Sequence, residues 1–166
     1  MDEKTLKDLK DAFAGESQAN RKYLAFAKKA DQEGYPEVAK LFRVAAEGET
    51  RHAMRHLVAM NGIGTTAENL KAAIDGETYE FTEMYPGFIK DAEAGGEAVA
   101  KDAFEDADTV EKEHENLYSK ALANPSEFKM GTVWVCQNCG HVHIGDAAPA
   151  KCPVCGFPGS QFVEVK

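Results

Sequence analysis

The sequence predicts a mainly α protein: a four-helix bundle followed by a small β domain built around four cysteines. Three observations carry this prediction. Up to about residue 124 the chain is rich in Ala, Glu, Lys and Leu, and its apolar residues recur at helical spacing. Beyond that point Gly, Pro, Cys and β-branched residues take over. All four cysteines lie from Cys136 onward, as two C-x-x-C pairs. The expected organisation is a bundle over 1–124, a joint over 125–131 (within ANPSEFKMG) and the cysteine domain over 132–166.

The helices are read from their punctuation. The first is expected from about Thr5, as N-cap, to Gly34. Pro36 suits the first turn of the second helix, which is expected to end near Asn61-Gly62. Thr65 and Glu68 have capping-box spacing and open a short segment, TAENLKAAIDG. The third helix is expected after Gly76 and stops at Gly95-Gly96; the fourth runs to about Asn124-Pro125. Pro86 removes a backbone donor inside the third helix, which predicts a kink or local widening there. The extended connection between the second and third helices suits the crossover of ferritin-like bundles.

Composition narrows the function. With 166 residues the chain can bury a core as one domain plus a small appendage. Its 28 acidic and 19 basic side chains give a formal charge of −9, which argues against nucleic acid or an anionic membrane as partner. No apolar run is long enough to span a bilayer, and MDEKTLKDLK reads as a helix start rather than a signal peptide. The expectation is a soluble cytoplasmic protein. In a reducing cytosol, paired C-x-x-C favours metal over disulfides.

Carboxylates fall on the apolar stripes. In the second helix the stripe of Val38, Leu41, Ala45, Leu57 and Met60 also contains Glu49 and His52. In the first, Glu16 sits in line with Leu6, Leu9, Phe13, Asn20, Tyr23 and Ala27. In the fourth, Glu111 and His114 interrupt Ala100, Ala103, Ala107, Leu117 and Ala121. In the third, Glu80 and Glu83 stand three apart. Two E-x-x-H pairs, each one turn apart, plus inward glutamates from the other two helices, are the di-iron or di-manganese carboxylate pattern of four-helix bundles. Carboxylates bridge hard cations and imidazole binds iron well. Without cations, so many acids in an apolar interior would be costly unless protonated or hydrated. His56, one turn beyond His52, reads as a peripheral polar residue.

In the tail, Cys136 and Cys139 form one knuckle and Cys152 and Cys155 the other, each followed by a glycine. Strands VWV and QFVEV can pair beneath the site, with Trp134, Phe157 and Phe162 as a small core. So small a core needs the metal for folding. Zinc and a single iron both fit four thiolates. His141 and His143 read as surface residues.

These segments (FAGESQANRKY, EGETRHA, ETYEFTEMYPGF, VEKEHENLY and CQNCG…CPVCG) closely resemble the rubrerythrin family over essentially the whole chain. The resemblance implies a ferritin-like di-iron bundle joined to a rubredoxin-like iron domain. It implies di-iron ligands Glu16, Glu49, His52, Glu80, Glu83, Glu111 and His114, and a third iron on Cys136, Cys139, Cys152 and Cys155, where zinc can substitute. It further implies that Glu83 and His52 exchange as ligands of one iron on redox change, and that Tyr23 hydrogen-bonds a ligand carboxylate.

The implied activity is a peroxidase reducing hydrogen peroxide. Its electrons would come from NAD(P)H through a separate reductase or rubredoxin, since no G-x-G-x-x-G fingerprint is present. The implied assembly is a head-to-tail homodimer. Two other classes stay open: a ferritin-like iron-oxidising or storage protein, and a metal-binding module with a structural zinc ribbon.

Overall fold

The computed structural model describes residues 1–166, and their helix ends follow the local chemistry closely. Helix α1 (Glu3–Gln32) is capped by Asp2, whose carboxylate accepts from the Thr5 N–H at 2.9 Å and from its hydroxyl at 2.8 Å. Thr5, expected as the cap, is thus the residue being held: a carboxylate three positions ahead meets both a free N–H and the positive end of the helix dipole. Pro36 opens α2 (Pro36–Ala59), where its missing N–H costs nothing. The Thr65–Glu68 capping box forms and starts α3 (Thr66–Tyr79).

Gly76 does not break the chain there. It lies inside α3, so the segment expected to be separate is continuous with the third helix; a single glycine costs only about 1 kcal/mol in a helix interior. The predicted widening is a π turn over Glu80–Met84, where the Tyr85 N–H bonds back to the Glu80 carbonyl. The ladder loosens just ahead of Pro86, and the Thr82 hydroxyl donates to the Thr78 carbonyl at 2.6 Å. Helix α4 (Tyr85–Gly95) ends at Gly96, whose φ of 71° is the left-handed conformation glycine adopts freely. Helix α5 (Ala98–Ala123) completes the helical part.

The chain divides into two units, Met1–Gly64 and Thr65–Lys166. In the first, α1 and α2 pack as an antiparallel hairpin on a line of alanines: Ala27, Ala30, Ala39, Ala46 and Ala53 are buried. Small side chains let the helices approach until Asn20 of α1 donates to the Ala46 carbonyl (2.7 Å) and to the Thr50 hydroxyl (2.8 Å) of α2. Val38 and Leu41, expected on the apolar stripe of the second helix, lie outside this seam, which the alanine line fills.

In the second unit the chain from α3 through the π turn to α4 runs antiparallel to α5. The tail forms a three-stranded antiparallel sheet, ordered β2-β1-β3, from β1 (Val133–Cys136), β2 (Val142–Ile144) and β3 (Phe162–Val165). Its core is Cys136, Cys152 and Phe162, with Trp134 packed beside them and its indole N–H on the Gly145 carbonyl at 3.0 Å. Phe157, expected in this core, is 43% exposed; Phe162, reached by the β1–β3 pairing, fills that space. His141, expected at the surface, is 8% exposed, and Glu113 of α5, itself half-buried, gives its ring an acceptor.

Candidate metal centres

The cysteine loops place four sulfurs around one point. Cys136 Sγ lies 3.7 Å from Cys155 Sγ, and Cys139 Sγ lies 3.7 Å from Cys152 Sγ. Disulfides would need about 2.05 Å. A tetrahedral ion with metal–sulfur bonds of about 2.3 Å needs edges of about 3.8 Å, which these separations match. The glycine after each pair, Gly140 (φ 86°) and Gly156 (φ 75°), turns the backbone under the sulfurs.

The thiols respond to their surroundings in opposite ways. Burial pushes Cys139 and Cys152 up, towards the neutral thiol. At Cys155 burial also pushes upward, but hydrogen bonds from the Phe157 backbone, the Asn138 side chain and the neighbouring cysteines outweigh it and hold the thiol at about 7. A cation would have to displace the remaining protons, which a divalent ion on thiolates does.

Two further clusters each join one glutamate to an E-x-x-H pair: Glu16 with Glu49 and His52 in the first unit, and Glu77 with Glu111 and His114 in the second. Within each, the ligand atoms lie within 4.8 Å of one another. His52 Nδ1 is 3.3 Å from Glu49 and 3.8 Å from Glu16; His114 Nδ1 is 2.7 Å from Glu111 and 3.9 Å from Glu77. The carboxyls of each triad shift one another's proton affinity. Glu16 is held above its usual range first by its hydrogen bond to Glu49, which is itself held below by the same bond and by His52. Glu77 is pushed up to about 7, first by burial, then by its hydrogen bond to Glu111 and the charges of Glu111 and Glu80. In each triad two carboxyls crowd one another, a repulsion that a cation between them would relieve. The donor sets therefore fit metal in all three places.

Glu77 is the residue sequence reading missed. Glu80 stands beside the second triad, its carboxyl raised by burial and by the Glu111 charge and lowered by His114. Glu83 is exposed and belongs to neither cluster.

An internal repeat could have revealed Glu77. Tyr23, Phe26 and Phe42 form an aromatic trio with ring centroids 6.3, 6.2 and 5.5 Å apart; Tyr85, Phe88 and Phe104 form another, at 6.2, 6.2 and 5.5 Å. Phe42 precedes Glu49 by seven residues, as Phe104 precedes Glu111. Tyr23 follows Glu16 by seven, whereas Tyr85 follows Glu77 by eight; the extra residue is absorbed by the π turn. That insertion hides the repeat from a fixed-period reading. It also gives Tyr23 a counterpart, Tyr85, whose phenol is pushed up by burial and then by Glu80, Glu111 and Glu77.

Residues 7–122 match the family model described as Rubrerythrin, and residues 134–163 match the one described as Rubrerythrin, rubredoxin-like domain. The chain belongs to the rubrerythrin family. It is 39% identical to Rubrerythrin of Porphyromonas gingivalis, over 98% of this chain and 90% of that one. It is 35% identical to Rubrerythrin of Nitratidesulfovibrio vulgaris, over 96% and 93%. Among solved structures it resembles nigerythrin in its mixed-valent state (32% identity, TM-score 0.56) and in its fully reduced, all-ferrous state (31%, 0.57), covering 97% of this chain and 86% of that one. This rubrerythrin therefore has two Glu/His sites and a four-cysteine site suited to metal, and no helix long and apolar enough to cross a membrane.

Proposed function

We propose that this rubrerythrin is a cytoplasmic peroxidase that reduces hydrogen peroxide to water, with one iron in each Glu/His triad and one in the four-cysteine site. The reaction consumes two electrons and two protons per peroxide and releases two waters. Bound iron would supply the one-electron redox chemistry, as carboxylate and imidazole ligands suit both its ferrous and ferric states. Glu16, Glu49 and His52 would hold one ion; Glu77, Glu111 and His114, with Glu80 alongside, would hold the other. In the metal-free protein burial and the neighbouring Glu111 raise the Glu77 carboxyl to about 7, so iron binding there would displace a proton. Burial keeps the phenols of Tyr85 and Tyr118 protonated, so each remains a hydrogen-bond donor beside the carboxylates.

The observation that carries this reading is the joining of two carboxylate–imidazole triads to a four-thiolate site in one chain. Each triad suits a redox-active iron; the thiolates suit a one-electron carrier. The mixed-valent and all-ferrous states of nigerythrin are those of a relative whose iron changes oxidation state. Electrons would enter at the cysteines from a separate NAD(P)H-dependent reductase or a rubredoxin. A homodimer is part of the proposal.

Anaerobic stopped-flow spectroscopy on the iron-loaded, dithionite-reduced protein tests the proposal. Added peroxide should restore the visible band of the ferric thiolate site, with two electrons consumed per peroxide. A colourless, zinc-bound tail without turnover would overturn it. Fast reaction with oxygen, sluggish reaction with peroxide and accumulation of ferric iron would instead make the protein an iron-oxidising one.

A further inference from the structure

We propose that the hydrogen bond between His141 and Glu113 is the latch that seats the cysteine domain on α5 and sets the path by which electrons reach the Glu77–Glu111–His114 triad; this rests on the electron-delivery reading above. The His141 backbone N–H bonds to Cys139, one of the four thiolate ligands. Its ring Nδ1 lies 2.7 and 2.9 Å from the two carboxylate oxygens of Glu113. The ring also stands edge-on to Phe162, the core residue of the small sheet, at 6.2 Å between centroids.

Helix α5 makes this contact consequential. Val110, Glu113 and Leu117 share one face, spaced three and four apart. That face meets the cysteine domain. Val110 is 1% exposed, and its Cγ1 lies 3.7 Å from where a Cβ on Gly140 would stand. Leu117 and Glu113 border the same seam as Val142 and Ile144 of β2. Glu111 and His114 hold the triad from another face of α5. One helix is therefore the shared wall. Glu113 is joined by a single peptide to His114, so the chain Cys139, His141, Glu113, His114 links one metal site to the other through two hydrogen bonds and covalent structure. With iron bound at both sites, this chain of residues would be the route for one electron from the thiolate site to the triad; no bond would be made or broken. A buried imidazole held by both oxygens of a half-buried carboxylate is geometrically defined, where apolar contact alone would let the domain slide.

The test uses the full-length, iron-loaded protein. His141→Phe keeps a ring against Phe162 but removes the donor; His141→Asn returns a donor near the Nδ1 position; Glu113→Gln keeps an acceptor, and Glu113→Leu, on a partly exposed helix face, removes it without threatening the fold. Two readouts apply: the rate at which the reduced thiolate site is reoxidised after a peroxide pulse, and amide hydrogen exchange at β2 and the 124–131 joint with zinc in the cysteine site. His141→Phe and Glu113→Leu should each lose protection and transfer rate by about tenfold or more, the size expected for one hydrogen bond to a charged group. Glu113→Gln and His141→Asn should recover part of both, with the thiolate spectrum unchanged throughout. Unchanged exchange in both Phe and Leu variants would overturn the latch; lost protection with an unchanged rate would overturn its role in the electron path. A wild-type thiolate site that peroxide never reoxidises would instead overturn the delivery reading, and the exchange data tell the two failures apart.

Discussion

The triad on α1 and α2 and the triad on α3 and α5 use the same residues at nearly the same spacing, yet they are not equivalent. In the first, Glu16 and Glu49 are half-buried, His52 is exposed, and the hydrogen bond between the two carboxyls is the leading influence, raising Glu16 and lowering Glu49. In the second, all three ligands are half-buried, burial leads the rise of Glu77 to about 7, and a fourth carboxylate, Glu80, stands beside them. One inserted residue accompanies this asymmetry. It turns a stretch of α-helix into a π turn that begins at Glu80 and leaves both the Glu77 side and the Tyr85–Phe88 side in register with their counterparts on α1. A repeated scaffold can thus give two metals different surroundings without changing the ligand set.

The largest expected effects come from breaking each triad. His114→Ala and His52→Ala should each lower iron content by about one equivalent per chain and peroxide turnover by about 100-fold or more, the upper end of losses seen when metal-site partners are removed. Elemental analysis beside stopped-flow rates measures both; a variant that keeps full iron and full turnover would remove its histidine from the site.

Sharpening the difference needs Glu80. Glu80→Gln should leave metal content intact and slow turnover by about tenfold, whereas the first triad has no corresponding residue to test. Loss of metal in this variant would mean Glu80 is an obligatory ligand rather than an added one.

The protonation of Glu77 gives a pH signature for the metal-free protein. Its folded-state affinity for a proton exceeds the unfolded one, so the folded state binds more protons between about pH 4.5 and 7. Stability should therefore fall as pH rises across that window and level off above it, by roughly 1–2 kcal/mol given solvent screening at a partly open site. Divalent metal should remove the slope, and Glu77→Gln should flatten it. Urea titrations at a series of pH values in chelator track this directly, and a slope of opposite sign would contradict the assignment.

The smallest effect is expected at Glu83. Exposed and outside both clusters, it should tolerate alanine within about 0.5 kcal/mol of stability and with near wild-type turnover. A large loss of turnover would restore it to the site and displace Glu80.

Much of the site was legible in the chain. The two E-x-x-H pairs and Glu16 stand on helical stripes, and four cysteines at paired spacing leave few alternatives to metal. Legibility failed where a period changed or where a long side chain reached another element. Glu80 and Glu83 looked like the third helix's pair because they stand three apart; Glu77, also three from Glu80, is the one that meets Glu111 and His114. Val38 and Leu41 looked like core because they are large and apolar, but the hairpin closes on alanines. His141 looked like surface because nothing near it in sequence needs an imidazole; its acceptor, Glu113, is 28 residues away.

By itself, then, the sequence determined the inventory: which helices form, where they are capped, and which types of donor are available for metal. Those depend on backbone propensity, capping and short-range spacing, all of which act within a few residues. Tertiary structure decided which glutamate joins each histidine, how far burial lifts its proton affinity, and which face of α5 receives the cysteine domain. Those outcomes depend on side chains distant in the chain meeting in a partly dehydrated space, where a shift of one residue in register rotates a side chain by about 100° and changes what it touches.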